Sequence, residues 1–173
     1  MTRLRFGWLQ IALGFLLLGV AASMRGVMWA MVWPATAVIV IGLGYLGLGP
    51  SVFGKRRNGT LHPLRALVLL PYHGVAFLRL HWDLWRHREA AWNEVAPGVF
   101  LGRRTLGALP EGTKVVVDLT AELPAISGVR ASVEKGVLGY HVLPTLDATA
   151  PEEAPFISLV ELLSPMKETV FIH

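Results

Sequence analysis

The chain has 173 residues, 53% of them hydrophobic, and a mean hydropathy of +0.51; that excludes an ordinary soluble domain and implies membrane residence beside one compact domain. Its net charge of +4 is uneven: residues 1–92 carry ten Lys or Arg against Asp83 and Glu89, whereas residues 93–173 carry six against ten acids, which favours contact with anionic lipid and excludes nucleic acid as a partner. Cysteine is absent, so disulfides, thiolate metal sites and a cysteine nucleophile are excluded within these residues.

The first elements are apolar. Residues 6–24 hold one strongly polar side chain, Gln10, and residues 27–48 hold no charge, so each approaches the roughly twenty residues needed to cross hydrocarbon. Arg25-Gly26 between them is too short for anything but an antiparallel hairpin, which places Trp29 and Trp33 near one interface. Arg3 and Arg5 precede the first span and Lys55, Arg56 and Arg57 follow the second. The positive-inside rule then puts both ends in the cytoplasm, as in a multi-pass inner-membrane protein. A signal peptide is the competing reading, with Val20-Ala21-Ala22-Ser23 as its cleavage site.

Two motifs in this region are discounted. Gly42-Leu43-Gly44-Tyr45-Leu46-Gly47 fits the dinucleotide pattern but has no preceding strand, so it reads as helix packing. Asn58-Gly59-Thr60 is a formal glycosylation sequon on the wrong side of the membrane.

Residues 64–80 are apolar but short, bracketed by Arg65 and Arg79 and interrupted by Pro71 and Gly74. Arg65, Tyr72, Arg79 and Arg86 recur every seven residues, and Trp82, Trp85 and Trp92 supply interfacial anchors. The expectation is a kinked helix lying on the membrane surface; a full crossing would move everything after it to the other side. His81, Asp83 and His87 read as interfacial decoration rather than a metal site, because the two His fall on different helical faces.

From Glu94 onward short apolar runs alternate with turns and one helical pattern, as in an α/β domain. Val99 to Leu101 is a short strand. Lys114 to Leu119, with three consecutive Val, is a strand buried on both faces of a parallel sheet. Gly139 to Leu143 is a third strand. Thr149 and Glu152 form a capping box ahead of a helix with Phe156, Leu159, Val160 and Leu163 on one face. Residues 169–172 are a further buried strand, and His173 follows.

The order of these pieces resembles the dual-specificity phosphatase branch of the protein tyrosine phosphatase superfamily, over residues 95–173. Residues 95–102, Val-Ala-Pro-Gly-Val-Phe-Leu-Gly, look like the family's opening segment, and residues 115–122 look like its next strand and loop. Residues 140–147 resemble the strand leading to the loop that supplies a general acid. Val170-Phe171-Ile172-His173 resembles the strand entering the phosphate-binding loop, whose family pattern is His, Cys, five residues, Arg.

The resemblance implies Asp147 as general acid. It also implies that His173 directly precedes a missing nucleophile, which the His would favour as a thiolate. It implies neither cofactor nor metal. Asp118, closing a buried strand, is expected to hydrogen-bond a neighbouring turn instead of acting as a second acid.

The sequence therefore predicts an N-terminal transmembrane helical hairpin (1–54), a basic linker with an interfacial helix (55–93), and an incomplete α/β phosphatase-like domain (94–173). The chain is expected to be truncated and inactive alone. Complete, it would hydrolyse a phosphomonoester on a lipid or protein. The alternative is a non-catalytic membrane protein whose degenerate phosphatase fold binds a partner or a phosphate group.

Overall fold

The computed structural model describes residues 2–24, 26–86, 90–104 and 109–173; Arg25 of the short turn and His87 lie outside them. The chain forms two units, one of residues 1–54 with 61–87, the other of residues 55–60 with 88–173. The basic stretch expected to be a linker is thus divided, and Lys55–Thr60 belongs to the later unit.

In the first unit, α1 (Arg3–Ser23) packs on a second apolar segment built from a 3-10 stretch (Gly26–Met31), α2 (Val32–Leu43), a π-helical turn (Gly44–Leu48) and another 3-10 turn (Gly49–Phe53). Both segments are long and apolar enough to cross a membrane. Small residues make the packing close: Gly7, Gly14 and Ala21 are the buried positions of α1. A Cβ on Gly42 would stand 2.8 Å from the Gly7 carbonyl oxygen, and one on Gly14 3.0 Å from that of Ala35. Backbone approach of this kind is how helices associate where no hydrophobic driving force exists. The outward positions Trp8, Leu9, Phe15, Leu16 and Trp29 are exposed, which suits hydrocarbon better than water.

The helical ladder breaks where the second segment changes pitch, and basic side chains occupy the freed carbonyls. Arg3 Nε donates to Tyr45 O at 2.8 Å, and Arg65 Nη1 donates to Ser51 O. Arg3 and Arg65 therefore act as caps on the irregular part of the second segment.

The predicted kinked helix is two helices, α3 (Pro63–Val68) and α4 (Leu70–Arg86). The break falls at Leu69, with ψ 5° and no exposure, and Pro71 sits in the first turn of α4, where its missing N–H costs nothing. Leu67 O has no i+4 donor because residue 71 is Pro, and Trp33 Nε1 donates to it at 3.1 Å. Trp33 is thus a packing partner within this unit. On α4, His81 Nδ1 lies 2.8 Å from Phe77 O, and Asp83 pairs with Arg79 at 3.7 Å.

The second unit carries a five-stranded mixed sheet: β1 (Trp92–Ala96), β2 (Val99–Gly102), β3 (Thr113–Thr120), β4 (Gly139–Thr145) and β5 (Thr169–Ile172), in the order β1-β2-β5-β3-β4. Only β1 with β2 is antiparallel. The Val run behaves as expected of a strand covered on both faces. Val115 and Val117 with Val170 pack against Leu159, Leu163 and Met166 of α6 (Glu153–Leu163) and the turn after it. Val116 and Phe171 pack on the other face against Val129 and Val133 of α5 (Ser127–Glu134).

Three expectations need correction. Trp92 is not an interfacial anchor; it opens β1 and its ring meets Phe171 edge-on at 6.1 Å. The capping box is not formed: Glu152 is the N-cap of α6 without a side-chain bond, and Thr149 Oγ1 donates to Leu146 O at 2.7 Å. A helix also stands between β3 and β4, where α5 was not foreseen.

Candidate functional site

Parallel strands release their loops at one edge, and in open α/β sheets ligands bind in the crevice beyond the strands' carboxyl ends. Here β3, β4 and β5 end around a cavity of about 330 Å³. Its walls are residues 119–122 at the end of β3 and just past it, residues 145–149 with Pro151 from the last residue of β4 onward, and His173 after β5. Asp147 and His173, singled out separately in the sequence, therefore line one cavity.

The Asp147 loop is held tightly. Thr145 Oγ1 donates to Leu143 O at 3.0 Å, Thr149 N donates to Leu146 O at 3.1 Å, and the buried Leu146 side chain roots the loop. Ala148 has a φ of 56°, a left-handed conformation that an L-residue adopts only under constraint. Strain of that kind next to an exposed Asp marks a loop whose shape is determined by its surroundings.

His173 is fixed by backbone and ring. Its N donates to Val117 O at 3.0 Å, its O accepts from Leu119 N at 2.7 Å, and its ring stacks on Phe171 at 5.4 Å and 28°. The buried Nδ1 has no hydrogen-bond partner. Burial pulls the imidazole pKa below its ordinary value; the nearby Asp118 charge opposes this, while Arg104 and Lys55 add to it. At neutral pH the ring is uncharged.

Behind His173 lies a charged node that the sequence reading did not assemble. Asp118, fully buried at the end of β3, accepts at Oδ2 from Lys55 Nζ at 2.6 Å and from the Tyr140 hydroxyl at 2.6 Å. Its Oδ1 accepts from Thr120 N at 2.9 Å, a local bond to the end of its own strand where a neighbouring turn was expected. Lys55 Nζ also donates to Thr120 O.

Burial raises the Tyr140 pKa well above its ordinary range, helped by the Asp118 charge and hydrogen bond, so the phenol stays protonated and able to donate to Asp118. Lys55 and Arg104 are both lowered by burial, with Asp118 opposing the shift in each. Arg104 Nε and Nη1 are buried without a hydrogen-bond partner. Two cations thus surround one carboxylate, an arrangement that is positive overall and sits near the His173 ring.

Lys55 was legible only as a topology signal, one of three basic residues after an apolar span. The clue to its real place was Asn58-Gly59, a dipeptide that favours tight turns and so argues against an extended linker.

Chemically, the cavity offers a carboxyl group on one wall, a neutral imidazole on another, and positive potential behind the second. That combination suits a small anion undergoing proton transfer. Comparison of the chain with protein families, curated proteins and solved structures yields no match.

Proposed function

We propose that the chain is the membrane-anchored, acid-bearing part of a phosphatase of the dual-specificity type, acting on phosphomonoesters at the cytoplasmic face of the inner membrane. The observation that carries this reading is the convergence of Asp147 and His173 on one cavity at the carboxyl ends of β4 and β5. The motif resemblance across residues 95–173 and the central position of β5 in the sheet support it.

In this reading Asp147 protonates the leaving-group oxygen and afterwards takes a proton from water. His173, neutral and fixed on Phe171, orders the start of the phosphate-binding loop. The nucleophile is a Cys carried by residues after His173, attacking phosphorus while backbone N–H groups and an Arg hold the phosphate oxygens. The two apolar N-terminal segments and the basic residues at their ends hold the domain at an anionic bilayer. That location favours a phosphorylated lipid headgroup as substrate over a phosphoprotein.

The coding sequence after His173 tests the reading first, with a Cys, five residues and an Arg expected. The protein carrying them should hydrolyse an aryl phosphate and a phosphorylated lipid in vesicles. Asp147→Asn should lower kcat by roughly 10²–10⁴ on a substrate with a poor leaving group, and much less on an activated one. Equal turnover by the variant on both substrates would remove Asp147 from the chemistry. A stop codon directly after His173 would instead favour a non-catalytic protein that binds a partner or phosphate.

A further inference from the structure

Residues 55–60 follow the second apolar segment in sequence yet fold as part of the α/β unit. They close a tight turn: Arg56 N donates to Thr60 O at 2.8 Å, and Gly59 N donates to Arg56 O at 2.9 Å. Asn58 Oδ1 accepts from both Thr60 N at 3.1 Å and Thr60 Oγ1 at 2.7 Å.

The turn is seated with no slack. Gly59 O accepts from Ala125 N at 2.8 Å, and Gly59 has a φ of +74°. A Cβ there would lie 2.6 Å from the Tyr140 hydroxyl. The position therefore requires Gly for both space and backbone conformation.

From the start of this turn Lys55 reaches into the domain. Its side chain and that of Asp118 have no exposure at all. Thr120 is gripped at both backbone atoms, its N by Asp118 Oδ1 at 2.9 Å and its O by Lys55 Nζ. Thr120 is also the last residue of β3 and part of the cavity wall, with Ala121 and Glu122 after it. A buried ion pair is a poor device for stability, since well-packed apolar side chains of similar volume do as well or better. What it supplies here is a defined position for one carbonyl and one N–H beside the cavity.

We infer that Lys55 is a positioning residue for the cavity, setting the wall formed by Thr120, Ala121 and Glu122 through its grip on Asp118 and Thr120. The inference rests on the proposed phosphatase reading only for the reaction that the cavity performs.

The test is hydrogen–deuterium exchange on the full 173-residue chain in lipid nanodiscs, comparing the native protein with Lys55→Met/Asp118→Asn. This pair removes both charges of the salt bridge together and leaves Arg104 as the remaining charged group of the node. The amides of residues 120–122 and 56–60 should exchange at least about tenfold faster, while those of Val115–Val117 and Val170–Ile172 keep their protection. Arg56→Met, at the exposed neighbouring position, should change neither set.

Unchanged exchange at residues 120–122 would overturn the inference, and so would a uniform loss of protection across β3 and β5, which would make the pair an ordinary part of the core. No turnover is read in this experiment. Absence of phosphatase activity in the longer protein therefore leaves the inference standing, and failure here leaves the phosphatase reading standing.

Discussion

Removing one partner of the Lys55 and Asp118 pair differs from removing both. Lys55→Ala strands a fully buried carboxylate and should cost about 3–5 kcal/mol, whereas Tyr140→Phe deletes one hydrogen bond to that carboxylate and should cost about 1–3 kcal/mol. Denaturant midpoints in a fixed detergent would read both.

For His173 the direction of the pKa shift fixes the pH dependence. The folded protein binds this proton less readily than the unfolded chain, whose ordinary value is 6.5. Stability is therefore full above that pH and falls on acidification below it, by at most about 1.4 kcal/mol per pH unit. His173→Phe should flatten that part of the stability curve.

Ala148→Gly should relieve a left-handed backbone and leave stability unchanged or up to about 1 kcal/mol higher, while loosening the Asp147 loop. Asp147 and His173 could be singled out in the sequence because each sits in a local motif. Lys55 could not, because its partner lies 63 residues away and a Lys after an apolar run reads first as a charge signal.

Among the elements, the hairpin of α1 with α2 is exacting, because at its glycines backbone carbonyls as well as side chains crowd the place a Cβ would take. Gly42→Val would drive a side chain against the Gly7 carbonyl, which has no rotamer through which to yield. A loss of about 1–3 kcal/mol in helix association is expected, read as reduced cysteine cross-linking or energy transfer between labels on the two helices.

The break between α3 and α4 shows how Pro acts at a distance of four residues. The sequence pattern predicted a kink at Pro71, but Pro is comfortable in a first turn, so the chain breaks before it and the stranded Leu67 carbonyl takes Trp33. The Val run revealed β3 because continuous β-branched residues have no other comfortable setting. α5 and β1 were hidden for the opposite reason. α5 contributes only Val129 and Val133 to the core, too few for a helical period, and β1 reads Trp-Asn-Glu-Val-Ala, without a clear alternation.

For the whole molecule, charge and apolar surface are distributed in opposite senses. The first half exposes Trp8, Phe15, Trp29, Phe77, Trp82 and Trp85 beside a large excess of Lys and Arg, while the second half is acidic. A phosphatase or fluorescent reporter fused after His173 should report the cytoplasm, following the excess of basic residues at the ends of the spans. Activity of the reporter only outside would require α3 and α4 to cross the bilayer. The α/β character and the two apolar spans were readable from patterning alone. The boundary after residue 54 was placed too, but the membership of residues 55–60 in the α/β unit was not, since it depends on a turn docking on strands made much later.

Order of synthesis adds a consequence of the sheet's connectivity. β5 is the last of the five strands to leave the ribosome, yet it lies between β2 and β3 and is hydrogen-bonded to both. Until it emerges, the β1 and β2 ribbon has no bond to β3 and β4, and the facing edges of β2 and β3 are open to mispairing. A nascent chain would therefore hold two unjoined half-sheets until β5 closes the gap between them.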